Sequence, residues 1–211
     1  MSTPELKAII EAALLAAGQP LSISQMGELF EEGARPTHTE LAQVLEALTA
    51  DCDGRGVELV EVASGFRYQV KALVHSYVAR LWTERQSRYS RALLETLALI
   101  AYRQPITRGE IEAVRGVAVS TQIIKTLEER EWIRVIGHRD VPGRPALFGT
   151  TRSFLDYFNL KSLDELPTLA EIRDLAMEPE LSFPERDGAG ASTARPAVVV
   201  ALAIPSTETL Q

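Results

Sequence analysis

Three histidines, one cysteine and several adjacent carboxylates are the residues of this chain equipped for metal or acid–base chemistry. His38, His75 and His138 fall on separate segments, and no H-x-x-x-H or carboxylate cluster supplies the spacing at which ligands converge on a cation. Cys52 stands alone, which excludes a disulfide framework and a cysteine-based metal cluster. It reads instead as a small, partly buried side chain near a helix end. Glu31-Glu32 and Glu128-Glu129 read as solvated helix surface, and His38 as a first-turn residue. Ser120 stands at a helix start with no histidine in its segment, and no glycine-rich stretch is built to cradle a phosphate. The expectation is a protein with no catalytic residues, no metal site and no cofactor. It should act by binding.

The charge pattern narrows what it could bind. Residues 1–84 carry a net charge of −6, residues 85–152 of +5 and residues 153–211 of −6, within a total of −7. A basic middle suits either nucleic acid or an acidic protein segment. The N-terminal stretch MSTPELKAII lacks the basic start and apolar core of a secretory signal. No apolar run approaches the roughly 18–20 residues that cross a bilayer, so a cytoplasmic location without membrane contact is expected.

The elements emerge from an internal repeat. ALLAAGQPLSISQMGELF, from Ala13, aligns with ALIAYRQPITRGEIEAVR, from Ala98, at a constant offset of 85. Gln19-Pro20-Leu21-Ser22 falls on Gln104-Pro105-Ile106-Thr107. In each copy the proline stops one helix, and a capping box, Ser22 with Gln25 or Thr107 with Glu110, starts the next. Leu41, Val44, Leu45 and Leu48 then form one apolar face of a third helix, opened by a further box, Thr37 with Glu40. Ile123, Ile124 and Leu127 repeat its last three positions at an offset of 79. A hairpin follows each third helix. The first is VELVEV-ASG-FRYQV, turning at Ser64-Gly65. The second is WIRVIG-HRDVPGR-PALFGT, with a loop stiffened by Pro142 and Pro145 and made turnable by Gly143.

Helix, helix, helix, strand, turn, strand is the winged-helix order. The expected fold is mainly α with small β-hairpins (α+β): two tandem winged-helix domains plus a C-terminal helix and tail. The first domain spans 1–84 and the second 85–177. Phe154, Leu155, Tyr157, Phe158 and Leu160 supply a helix that packs back on the second domain, and Ser162 with Glu165 offers a fourth capping box. From 178 to 211 the Pro, Gly, Ala, Ser and acid content favours disorder, interrupted by the apolar octet 197–204.

Winged helices commonly lay the third helix in the DNA major groove. Here THTELAQVLEALTADCD holds four acids and no Lys or Arg, which repels phosphates. The second copy could still touch DNA backbone weakly through Arg134, Arg139 and Arg144, or those arginines could be solvated or paired with Asp140. A winged-helix DNA-binding transcription regulator is therefore the alternative reading, and a structural adaptor in an unrelated complex a third.

ALLETLALIAYRQPITRGEIEAVRGV, IKTLEEREWIRVIG and VPGRPALFGTTRSFLDYFNLKSLDELP resemble the segregation and condensation protein B (ScpB) family, the accessory subunits of the bacterial SMC–kleisin condensin. The likeness spans residues 1 to about 170 and is most specific over 92–167. It implies a non-catalytic homodimer that pairs through its first domain and grips the kleisin ScpA with its second. Through ScpA it would reach the SMC ATPase, in chromosome condensation and segregation. The likeness places the partner site in the second domain, and the candidates there are Tyr102, Trp132 and the wing residues Val141, Pro142, Arg144 and Pro145, since a preorganised wing loses less entropy on binding. Leu6, Ile9, Ile10, Ala13 and Leu14 are candidates for pairing, with the core as the favoured reading of the same residues.

Overall fold

Both proline-separated helix pairs form where the repeat places them. The computed structural model describes residues 3–81, 89–168 and 171. The tail at 178–211, with its apolar octet, and residues 82–88 at the boundary between the two expected domains lie outside the described residues.

The first unit runs α1 (Thr3–Ala16), α2 (Ile23–Gly27), a 3-10 turn, α3 (His38–Asp51), β1 (Val57–Val62), β2 (Gly65–Val70) and α4 (Ala72–Val78). The second runs α5 (Arg91–Arg103), β3 (Ile106–Thr107), α6 (Arg108–Arg115), α7 (Thr121–Glu129), β4 (Ile133–His138), β5 (Ala146–Thr150) and α8 (Arg152–Tyr157). Both are winged helices.

Three of the four expected capping boxes form in full. Ser22, Thr37 and Thr107 accept from the N–H three residues on, while Gln25, Glu40 and Glu110 reach back to the cap residue's own N–H. Each satisfies two donors that a helix start otherwise leaves bare. The fourth does not. Ser162 accepts from Asp164 N–H and begins only a single 3-10 turn, Leu163–Glu165, because Glu165 caps Lys161 N–H instead.

Each unit has its own core. Ile10, Met26, Leu41 and Leu48 anchor the first; Ile100, Ile111, Val119 and Leu127 anchor the second. Leu41, Val44, Leu45 and Leu48 are all buried, as their helical spacing requires. In α7, Ile124 and Leu127 are buried while Ile123 is half-buried. Cys52 is buried at the end of α3, its thiol donating to Leu48 O at 3.3 Å.

The hairpins differ from expectation in two ways. The second sheet has three strands, in the order β3-β5-β4, because Ile106 pairs with Phe148 and Thr107 with Leu147. Two residues are too short a run for hydrophobic alternation to show. The first unit keeps the trace of this strand as an isolated bridge between Leu21 and Phe66. Second, Gly65 is not in the turn. It pairs with Val62 as the first residue of β2, and the turn is Ala63-Ser64. A Cβ on Gly65 would lie 2.2 Å from Leu21 O, and its φ is +139°, so only glycine admits the bridge.

α8 packs into the second core through Phe154, as anticipated, and Leu160 follows it there. Its C-terminal end also meets the first hairpin. Ser64 N–H donates to Asp156 Oδ1 at 2.9 Å and Ala63 N–H to Leu160 O at 3.0 Å. Arg67 Nη2 donates to Asp156 O at 2.7 Å and Asn159 Oδ1 at 2.5 Å. Lys161 pairs with Glu61 at 2.6 Å. These contacts join the two units.

Candidate partner-binding surfaces

The wing of the second unit is held as a fixed shape by its own backbone. Arg139 N–H donates to Pro145 O at 2.9 Å, Val141 N–H to Arg139 O at 3.0 Å and Arg144 N–H to Val141 O at 2.8 Å. Gly143 and Arg144 both take positive φ, +85° and +37°, which closes the loop between the two prolines. Arg139 pairs with Glu110 of α6 at 2.9 Å, not with Asp140, and so ties the wing root to the helical body. Glu110 is thereby shared between cap and wing. The Thr107 backbone and hydroxyl, aided by Arg139, hold its carboxyl below the usual range. Val141, Pro142 and Arg144 are exposed and Pro145 is half-buried.

Beside them the open edge strand β4 shows an apolar face that periodicity did not reveal. The β4–β5 register shifts between Val135 and Gly137, and Val135 and Ile136 are both exposed. Such a bulge re-aims side chains out of the strand's alternation.

Trp132 does not belong to this surface. It is 3% exposed, with ring centroids of Tyr89, Tyr157 and Phe158 at 5.1, 4.6 and 5.6 Å. It also stands just before β4 while the wing tip follows it. The six residues of β4 separate the two by about 20 Å. Tyr102 is 37% exposed, and its hydroxyl donates to Pro167 O at 2.7 Å, fastening the segment after α8 to the end of α5.

Of the five apolar candidates on α1, Leu6, Ile10 and Leu14 are spent on the core, and Ile9 and Ala13 are half-buried, Ile9 packing against that core. The larger free apolar face is elsewhere. Leu73, Tyr77 and Leu81, spaced by four, are 86%, 70% and 77% exposed along α4 and the 3-10 turn after it. Their i, i+4, i+8 spacing is the signal that the sequence carries for this stripe.

Several residues that hold these surfaces carried no local signal. Gln104 accepts from Thr150 N–H at 2.7 Å and donates to Thr150 Oγ1 at 2.9 Å, locking the α5 exit to β5. A Cβ on Gly149 would lie 2.9 Å from Gln104 Oε1, which explains the glycine of the G-T-T run. Glu112 accepts from Val119 N–H and Arg108, which lower its pKa. Among the described residues no three His, Cys, Asp or Glu side chains could share a metal ion. No helix there is long and apolar enough to cross a membrane.

Two winged helices in tandem, with a stiff wing and exposed apolar faces, place the chain in the tandem winged-helix class. The sequence model for "Segregation and condensation complex subunit ScpB" matches residues 8–169, and the chain belongs to that family. A segregation and condensation protein B homolog of Coxiella burnetii is 57% identical over 175 residues, covering 83% of this chain and 84% of that one. Segregation and condensation protein B of Syntrophotalea carbinolica is 44% identical over 196 residues, covering 92% and 98%. A solved dimer of ScpB N-terminal domain complexed with ScpA peptide is 35% identical, with a TM-score of 0.33, over 36% of this chain and 93% of that one. The chain is thus similar to chromosome segregation and condensation subunits along both units.

Proposed function

We propose that this chain is the non-catalytic subunit of an SMC–kleisin complex. It binds ScpA, reaches the SMC ATPase through it, and acts in the cytoplasm in chromosome condensation and segregation. The observation that carries this reading is the family match, which runs from α1 to the segment after α8 without leaving either unit. In this reading residues 1–84 are the pairing domain and 85–177 the kleisin-binding domain. Pairing uses the α4 stripe of Leu73, Tyr77 and Leu81, with the half-buried Ile9 and Ala13 of α1 as further apolar candidates. Kleisin contact uses Val141, Pro142, Arg144 and Pro145 with the neighbouring Val135 and Ile136. Trp132 supports its fold from within.

The transcription-regulator reading is disfavoured by α3, whose fourteen residues contain no Lys or Arg. Size exclusion with light scattering on the full chain tests the proposal. The expected mass is twice 23.2 kDa alone, moving to a discrete heavier species with the central segment of the cognate ScpA. Leu73→Glu with Tyr77→Glu should give monomer, and Val141→Asp with Ile136→Asp should abolish the shift. An elution unchanged by ScpA at micromolar concentration would refute the reading.

A further inference from the structure

Between the two units lies an open cleft of about 700 Å³. It is walled by the segment entering α2, the first hairpin, the exit of α7 and α8. Three guanidinium groups line it, Arg67, Arg130 and Arg152, and the first two are positioned by different devices. Arg67 is fixed at the junction by Asp156 O and Asn159 Oδ1, and its Nε is buried without an acceptor. Arg130 follows the last turn of α7, stacked 4.7 Å from the Tyr89 ring centroid and 5.6 Å from that of Trp132. Arg152 opens α8 and is exposed. Neither Arg130 nor Arg152 joins an ion pair among the described residues.

Two carboxylates share the lining, Glu131 and Asp156, and Asp156 is already engaged by Ser64 N–H. Three cations against two anions leave the cleft positive in a chain of net charge −7. Planar guanidinium forks match carboxylates with two parallel hydrogen bonds. The Gln19 amide and the Nε2 of Gln25, whose Oε1 is taken by the cap, can meet a peptide backbone. An open, largely polar trough suits an extended chain better than the enclosed apolar pocket that small ligands favour.

We propose that the cleft between the units is a docking site for an acidic peptide segment of a partner protein, whose carboxylates are taken by Arg130 and Arg152 in front of Arg67. This site is separate from the wing surface and from α4. It is tested without ScpA, so its failure leaves the kleisin reading standing, and the reverse.

The test is fluorescence anisotropy of the full chain with fluorescein-labelled hexaglutamate. Saturable binding is expected, weakening as salt rises, while hexaglutamine gives none. Arg130→Ala and Arg152→Ala should each weaken it about tenfold, as loss of a charged hydrogen-bond donor does. Lys125→Ala, a basic residue outside the cleft, should leave it unchanged. Arg152→Gln, with melting followed by circular dichroism, repeats the measurement in a second variant at an exposed position. Three results would overturn the proposal: no saturable binding, an equal loss in Lys125→Ala, or displacement by hexathymidine at lower concentration than by unlabelled hexaglutamate. The last would mark a nucleic-acid surface instead.

Discussion

Replacing Trp132 by alanine separates packing from partner contact in the second unit. The indole is 3% exposed and sits among Tyr89, Tyr157 and Phe158, with Arg130 over its ring. A buried aromatic of this kind removes about 150–250 Å² from water, and truncating one to alanine costs roughly 3–5 kcal/mol. The three ring neighbours and the cation place Trp132→Ala near the middle, at about 4 kcal/mol. With a urea m-value of about 2 kcal/mol/M, the unfolding midpoint of the second unit should fall by about 2 M. Circular dichroism under urea measures this directly. Light scattering with ScpA at zero urea should still show the complex, because Trp132 lies about 20 Å from the wing tip along β4. A variant that keeps the wild-type midpoint yet loses ScpA would refute the reasoning and return Trp132 to the contact surface.

Gly65→Ala and Gly54→Ala form a matched pair, both at positive φ. Only at Gly65 does a Cβ meet backbone, so losing the two Leu21–Phe66 hydrogen bonds on top of strain should cost about 3–5 kcal/mol, against about 1 kcal/mol at Gly54; equal urea midpoints would contradict this. The capping carboxylates predict an acid limb. Glu40 and Glu110 are held below their ordinary value of 4.5 by cap N–H groups and hydroxyls. Their stabilisation is therefore full above about pH 4.5 and is lost as pH falls through the lower folded values. Glu40→Gln and Glu110→Gln should keep the cap, as Gln25 does in the first box, and flatten thermal melts between pH 3 and 5; an unchanged acid limb would show that other groups set it.

What could be read along the chain was whatever neighbouring residues decide among themselves. Helix starts at Ser22, Thr37 and Thr107 depend on side chains three residues apart, and all three appear as read. The apolar face of α3 depends on positions three and four apart, and it too appears. Cap and face recur in both copies, so the repeat exposed the winged-helix order twice over. The proposed partner surface was less legible. The wing's prolines and glycine marked a stiff loop, but the apolar edge at Val135 and Ile136 arises from a bulge in pairing with β5, which no local pattern records. The α4 stripe had the right spacing and no sign of which face would stay uncovered.

The amino-acid sequence by itself thus determined the helix starts at Ser22, Thr37 and Thr107, the tandem order and the family, because those rest on local hydrogen bonds, side-chain periodicity and motifs contiguous along the chain. The tertiary structure alone decided which apolar residues were left over. Leu6, Ile10, Leu14 and Trp132 went to the cores and Leu73, Tyr77 and Leu81 to the surface, since burial is set by what packs opposite a residue rather than by its own hydrophobicity. It also decided that Arg67 would reach Asp156 and Asn159, residues 89 and 92 positions away, and so bring three arginines to one cleft.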